Sequence, residues 1–317
     1  MLLPLLSLIV APSLRTVTLS PDRTKAYAAC SDGAVRVWNV ADGTLAAKIA
    51  HGTEPLVKVA VGQGYHVVIG GEKNPAFDLF RDGTTAPLNL GTKPADIRVL
   101  PDGTLLTQDI ETISLWDKET LVAEGRHKRT FYRADSTPYF AGADVSPDGK
   151  TVVAVGKLRC AYVWRAGEKK PTEIELKELG LGPAPVRFTP DGKSAAIVDG
   201  WRVKFLDLSN LKFGRTLEMK NVGGTFFAPI ALGFSPSGTR LASSSYAGGL
   251  VVYDLSTKGS KYVAFGKPVR DLTSSEEPVL VTDVQFIDED RLLAVVDGVP
   301  KVLDPKTGKA LLTFPVD

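Results

Sequence analysis

The chain has 317 residues, 23% of them charged, and a formal net charge of +2 at pH 7. This near balance excludes a surface built throughout for nucleic acid, because such proteins carry a strongly basic excess. The two cysteines lie in no CxxC or metal-spaced set and no apolar stretch is long enough for a membrane-spanning helix, so the sequence predicts neither a disulfide framework nor a membrane span.

The chain starts with an apolar segment, residues 2–10, followed by Ala11-Pro12-Ser13. The small residues suit a signal-peptide cleavage site, but no Lys or Arg precedes the apolar run, and the run is short for a signal peptide. Residues 1–13 are therefore open to two interpretations: a secretory signal, or an extra edge strand or apolar tail. The first predicts an exported or periplasmic protein and the second a cytoplasmic one.

From residue 14 onward, a turn related to Ser-Pro-Asp-Gly returns at a nearly constant interval. Ser or Thr first, Pro second and Gly fourth suit a type I turn that closes a hairpin. An alternating apolar pair precedes the turn and a short apolar run follows it, which predicts a β-hairpin. The turns are Ser20-Pro21-Asp22, Leu100-Pro101-Asp102-Gly103, Ser146-Pro147-Asp148-Gly149, Thr189-Pro190-Asp191-Gly192 and Ser235-Pro236-Ser237-Gly238.

A third strand follows each hairpin and often ends on a bulky residue and Asp, as in Leu115-Trp116-Asp117, and a second turn then leads to a fourth strand. Residues 59–80 and 284–303 repeat the pattern without the Pro turn. The seven units are spaced by about 44 residues, close to the 40–45 of a four-stranded propeller blade. The sequence therefore predicts an all-β fold over residues 14–317, a seven-bladed β-propeller of four-stranded antiparallel blades.

The recurring turn, the Trp-Asp-like ending of the third strand and the period resemble WD40 repeats. Only Trp116-Asp117 is a literal Trp-Asp pair, and the Gly-His dipeptide of that family is absent. The segment Leu303-Asp304-Pro305-Lys306-Thr307-Gly308 resembles bacterial YVTN-type propellers. The resemblance implies a rigid ring that serves as a scaffold for a protein or peptide partner.

Signatures of catalysis are missing from the sequence, which has no Walker loop, no GxSxG elbow, no HExxH and no EF-hand loop. This favours a non-catalytic protein without a cofactor or metal. We expect a monomer that binds a protein or peptide partner and does not bind nucleic acid. The alternative is a small-ligand binder or enzyme that uses the axial channel, as lactonase-like and quinoprotein propellers do.

The chain direction places the connections between blades, and the turns between second and third strands, on one side of the ring, which we call the connection face. Long variable loops on a rigid scaffold often carry recognition, and residues 124–142, 213–229 and 259–278 are long connections. The first holds a basic run with two aromatics, which suits an acidic protein patch, a phosphate or a single-stranded polynucleotide. A solvated loop, or one whose aromatics pack on blade 4, would look the same. The candidate partner-binding residues are Arg126, His127, Arg129, Tyr132, Arg133, Trp201 and Tyr246.

Alignment of the first strands places charges at the crowded axis of the ring. The position between the paired apolar residues is occupied, in chain order, by Thr18, Ala60, Arg98, Asp144, Arg187, Gly233 and Gln285. One position earlier, Lys58 and Asp96 face each other in blades 2 and 3. These residues predict ion pairs between blades, which avoid unpaired charge in a desolvated place. The alternative is an anion or substrate site in the channel.

Overall fold

The computed structural model describes residues 14–316, apart from several short segments of which nothing is said below. The segments left out are 71–76, 83–87, 90–93, 95, 101–102, 109–111, 118–119, 127–139, 157–159, 166–167, 169, 177–183, 223–224, 227–228, 246–248, 258–260 and 266–279. Within the described residues the regular elements are all strands, numbered β1 to β30. The division of the chain at residue 13 stays a prediction.

The first four blades take their strands in chain order. Blade 1 is β1 (Leu14–Leu19), β2 (Lys25–Cys30), β3 (Ala34–Asn39) and β4 (Leu45–Ala50). Blade 2 is β5 (Leu56–Gly62), β6 (Tyr65–Gly70), β7 (Phe77–Arg81) and β8 (Leu88–Asn89). Blade 3 is β9 (Asp96–Val99), β10 (Thr104–Gln108), β11 (Thr112–Asp117) and β12 (Thr120–Arg126). Blade 4 is β13 (Phe140–Val145), β14 (Thr151–Gly156), β15 (Cys160–Arg165) and β16 (Thr172–Glu175).

The last three blades follow the same order, with a small hairpin between blades 5 and 6. Blade 5 is β17 (Val186–Phe188), β18 (Ser194–Asp199), β19 (Arg202–Asp207) and β20 (Lys212–Glu218). The hairpin is β21 (Lys220–Val222) and β22 (Thr225–Phe226). Blade 6 is β23 (Pro229–Phe234), β24 (Arg240–Ser245), β25 (Leu250–Asp254) and β26 (Lys261–Phe265). Blade 7 is β27 (Val281–Phe286), β28 (Leu292–Val296), β29 (Val299–Leu303) and β30 (Ala310–Thr313).

Each blade is a four-stranded sheet in which consecutive strands pair antiparallel. The predicted seven-bladed β-propeller is therefore confirmed. The innermost strands of five blades carry a register irregularity near their start, for example between Phe140 and Gly142 in β13. An extra residue of this kind increases local strand twist. We infer that in these five blades it helps the chain to change direction where the connection enters the innermost strand.

In three of the Ser-Pro-Asp-Gly turns the hydroxyl at the first position makes the same two hydrogen bonds. Ser146 Oγ donates to the Asp148 carboxylate at 2.6 Å and accepts the N–H of Thr151 at 2.8 Å. Ser20 and Thr189 repeat both contacts in blades 1 and 5. The hydroxyl hydrogen bond is the main reason that the pKa of the Asp148 carboxyl lies below its usual value. Gly149, with a φ of 74°, takes the left-handed position that favours glycine.

The core consists of seven apolar clusters among the described residues, one at each boundary between neighbouring blades. At the boundary of blades 1 and 7, the buried Trp38 ring packs against Phe314 with centroids 5.6 Å apart. Its Nε1–H donates to the Pro315 carbonyl at 2.8 Å. The Gln285 side chain adds a hydrogen bond from Nε2 to the Val17 carbonyl at 2.8 Å. The ring thus closes through side chains, since the first and last blades each have four strands of their own.

The side of the ring opposite the connection face, which we call the turn face, carries further contacts between blades. Arginine side chains donate across it to backbone carbonyls: Arg23 to Ile287 at 3.0 Å, Arg165 to Leu208 at 2.9 Å and Arg215 to Leu255 at 2.7 Å. Tyr65 does the same with its hydroxyl, which donates to the Gly103 carbonyl at 2.7 Å. These hydrogen bonds join neighbouring blades at the rim of the turns.

The connections after blades 5 and 6 are shorter than the sequence predicts. Residues 213–218 and 261–265 lie in β20 and β26, the fourth strands of their blades, and not in loops. In β20 exposed residues alternate with partly buried ones, because the outermost strand has solvent on one side. Its apolar signal is therefore too weak to mark a strand in the sequence.

Two histidines meet at the boundary of blades 1 and 2. His51 follows β4 and His66 lies in β6, and their Nε2 atoms are 3.2 Å apart. The Phe80 ring stacks on His66 with an angle of 10° between the planes, and it also contacts His51. Burial lowers the pKa of each imidazole to about 4, and for His51 the neighbouring His66 adds to the effect. Because both pKa values lie well below 7, the pair is neutral near pH 7, and in the short contact one ring nitrogen donates while the other accepts.

We predict that this pair makes the fold sensitive to acid. Between pH 6.5 and 4 the two histidines are protonated in the unfolded chain but stay largely neutral in the native protein. The free energy of unfolding therefore falls as the pH drops. The pair's contribution is complete above pH 6.5 and shrinks towards pH 4. Urea unfolding at pH 7 and pH 5 should show a loss of about 3.5 kcal/mol that a His51→Gln/His66→Gln variant lacks. Equal losses in both proteins would contradict it.

Candidate functional site

The innermost strands line the axis of the ring, and their side chains meet those of the next blade. Contacts join β1 with β5, β5 with β9, β13 with β17, β23 with β27 and β27 with β1. Side chains on these strands are therefore deep in the molecule yet close to the axial channel. Lys58 and Asp96, for example, keep 26% and 32% of their side-chain exposure. Partial exposure at the centre of the ring indicates that solvent reaches these groups through the channel.

Asp144 joins three consecutive blades. Its Oδ1 accepts a hydrogen bond from Arg98 Nη1 at 2.6 Å, which makes an ion pair between blades 3 and 4. Its Oδ2 accepts the backbone N–H of Phe188, in blade 5, at 2.9 Å. Both oxygens are therefore engaged, and the carboxylate retains only 9% of its side-chain exposure. Asp144 thereby neutralises the charge of Arg98 and gives the Phe188 N–H an acceptor.

A second ion pair joins blades 2 and 3, where Lys58 Nζ donates to the Asp96 carboxylate. Burial opposes ionisation of Asp96, but the positive charges of Lys58 and Arg98 outweigh it and hold its pKa below the usual value. The structure thus brings together Arg98 with Asp144 and Lys58 with Asp96, the neighbours expected from the aligned strands.

Arg187, in β17, is placed differently from these four. Its Nη1 donates to the carbonyl of Val186 at 2.8 Å, and among the described residues it forms no ion pair with a carboxylate. Asp144, the carboxylate expected beside it, is already bonded to Arg98 and to the Phe188 amide. Burial, reinforced by the positive charge of Arg98, lowers the pKa of Arg187 to about 10. The guanidinium is a cation held in the channel by backbone alone.

Asp283, in β27, is a channel carboxylate that the sequence reading missed. Its Oδ2 accepts the N–H of Val17 at 3.4 Å and its Oδ1 that of Val284 at 2.9 Å. Burial raises the pKa of this carboxyl, although Lys58 and Arg187 favour its ionised form. A signal was present, since Asp283 stands just before the alternating apolar pair of its strand, the position that Lys58 and Asp96 hold in theirs. We call these six residues the channel charge ring: Lys58, Asp96, Arg98, Asp144, Arg187 and Asp283.

On the connection face, two large apolar side chains are exposed among the described residues. Trp201, in the turn between β18 and β19, is 38% exposed, and Leu280, just before β27, is 42% exposed. The Trp201 carbonyl accepts the N–H of Met219 at 3.0 Å. Leu280 and Asp297 exchange backbone and side-chain hydrogen bonds at 2.8 Å. Both residues are thus fixed by the ring beneath them.

The other candidates on this face cannot be placed. His127, Arg129, Tyr132, Arg133 and Tyr246 lie outside the described residues. Arg126 ends β12, but its side chain is likewise outside the description. Their role in partner binding stays a prediction.

One stretch of the chain is similar to a known repeat family. Residues 9–39 match the WD40 family model, described as WD domain, G-beta repeat, and the match reaches to the end of the third strand of blade 1. The seven sheets form a seven-bladed β-propeller, and the match supports its description as WD40-like. A search of curated proteins finds no match.

In the described part of the chain, none of the elements is a helix of the length and apolar character that a membrane crossing requires. In the same residues no three His, Cys, Asp or Glu side chains are grouped so that they could hold a metal ion.

We predict that the link through Asp144 stabilises the ring. Asp144→Ala leaves Arg98 unpaired in a desolvated place and removes the acceptor of the Phe188 amide. The free energy of unfolding should fall by about 2 kcal/mol, less than for a fully buried pair because Arg98 is partly exposed. Adding Arg98→Ala should cost less than the sum of the two single changes, as measured by urea denaturation.

The control is the exposed ion pair between Lys306 and Asp290, whose atoms are 2.8 Å apart. Asp290→Ala should change stability little, because surface pairs are screened by solvent. If the Asp144 and Asp290 variants lost the same stability, the channel pair would not hold the blades together.

Proposed function

We propose that the protein is a non-catalytic scaffold that binds a protein or peptide partner through its connection face. A WD40-like propeller is consistent with a protein-interaction scaffold. The observation that carries the proposal is the exposure of Trp201 and Leu280 on the same face of one ring. Large apolar side chains at the surface of a rigid scaffold are the typical anchors of protein interfaces.

The surroundings of Trp201 support a role as an anchor. The turn that holds it begins at Asp199, which is fully buried and ion-paired with Lys204. Gly200 takes a φ of 63°, which lets the chain reverse tightly between β18 and β19. These contacts fix the backbone of the turn before any partner binds. The protein would therefore lose little conformational entropy when a partner covers the indole.

Polar groups lie beside the anchor. Arg202 follows Trp201 and its Nε donates to Glu218 at 2.8 Å across β19 and β20. An apolar centre with charged neighbours at its edge is the usual composition of an interface between separately folded proteins. The basic run at residues 126–133, which the chain direction predicts for the same face, would favour an acidic partner.

We predict that Trp201→Ala weakens partner capture about tenfold or more, as expected when an aromatic anchor is removed. The measurement is quantitative mass spectrometry of proteins retained from a lysate of the source organism by immobilised protein. Leu280→Ala should weaken capture of the same partner.

The matched control is Leu311→Ala, because Leu311 is a large apolar residue that is 54% exposed but lies on the outermost strand of blade 7. Capture should be unchanged in this variant. Equal capture by the Trp201 and Leu311 variants, or no protein retained by the wild type, would refute the proposal.

A further inference from the structure

The channel charge ring contains three cations and three carboxylates, but they do not form three pairs. Lys58 pairs with Asp96 and Arg98 with Asp144. In the described residues Arg187 and Asp283 take part in neither pair, and each is held by backbone groups instead. The six charges of the channel charge ring therefore sum to zero, but only four of them form ion pairs. Arg187, in blade 5, is a cation outside both pairs.

Among the described residues no carboxylate is hydrogen-bonded to Arg187, although the charges of Asp144, Asp283 and Asp96 all act on it. On the blade 4 side, Asp144 has both oxygens engaged, by Arg98 and by the Phe188 amide. On the blade 6 side, the aligned positions hold Ala231 and Gly233, which have no polar side chain. At Gly233 an added Cβ would lie 2.8 Å from the Val284 carbonyl, so blade 7 packs too closely for a longer residue. The packing of blades 6 and 7 thus keeps blade 6 from supplying an acidic partner.

The guanidinium keeps most of its hydrogen-bonding capacity. Of its five N–H donors, one goes to the Val186 carbonyl. A planar fork of N–H groups matches two oxygens of a carboxylate or phosphate. The Arg187 residue is partly accessible to solvent and not fully buried.

We propose that Arg187 binds a small oxyanion, a carboxylate or phosphate group, in the axial channel. The site is separate from the connection-face anchors, because it depends on the innermost strand of blade 5 and not on exposed apolar residues. A bound oxyanion would form the ion pair that Asp144 cannot form, because Asp144 is already bonded to Arg98 and to the Phe188 amide.

Asp283 provides an internal check on this proposal. It is close enough for its charge to act on both Arg187 and Arg98. A negative ligand at Arg187 would therefore be repelled by the Asp283 carboxylate. Removing that charge should strengthen binding, whereas removing the Arg187 charge should abolish it.

The experiment is isothermal titration calorimetry of the full chain with inorganic phosphate and, in a second arm, with malonate, at constant ionic strength. The wild type should show saturable binding of at least one probe, and the tighter one indicates the ligand source. Arg187→Gln should weaken it about tenfold or more. Asp283→Asn, whose amide oxygen can still accept the Val17 N–H, should tighten it about threefold.

The matched control is Arg291→Gln, which removes an exposed arginine outside the channel and should leave binding unchanged. Arg187→Lys keeps the charge and loses the fork, so it should fold and bind more weakly than the wild type. Thermal unfolding of every variant verifies the fold. No saturable binding of either probe, or wild-type affinity in Arg187→Gln, would overturn the proposal.

Discussion

The fold depends on the contact between neighbouring blades, because each sheet is covered on both faces only by the sheets beside it. The apolar clusters all lie at blade boundaries, so none of the blades has a core of its own. Such a structure is stable only if the last boundary closes as well as the others. Here Trp38, Phe314 and Gln285 complete it by packing and hydrogen bonding, and in the described residues each of the two blades consists of its own four strands. A weak closure would leave two sheets exposed to water.

Polar side chains near the axis accept hydrogen bonds from backbone groups that the apolar clusters cannot satisfy. The innermost strand of each blade has a free edge, whose backbone N–H groups need acceptors. Asp144 and Gln285 occupy equivalent positions, and each accepts the N–H of the residue after the aligned position in the next blade. Those donors are Phe188 and Leu19. The channel charges therefore have a structural use, which explains why an unmatched cation at Arg187 stands out.

The sequence revealed the architecture because the turns carry their own chemistry. Ser146 and Thr189 each bond an acid two residues on and an amide five residues on, so the pattern is visible in one dimension. Pairing in the channel is not visible in this way. Alignment places Arg187 beside Asp144, but it cannot show that both oxygens are taken. The contact of His51 with His66 depended likewise on how two blades dock.

The two faces of the ring differ in what their polar groups do. On the turn face, the side chains of Arg23, Arg165 and Arg215 are bound to backbone carbonyls of the neighbouring blade. Side chains that already form hydrogen bonds between blades are poorly suited to binding a partner. The partner would have to replace each hydrogen bond that it breaks. On the connection face, Trp201 is exposed while its backbone is held by the ring. Because the contacts that hold this residue lie within the ring, a partner could bind its side chain without breaking them. Binding on the connection face would therefore reduce the stability of the fold less than binding on the turn face.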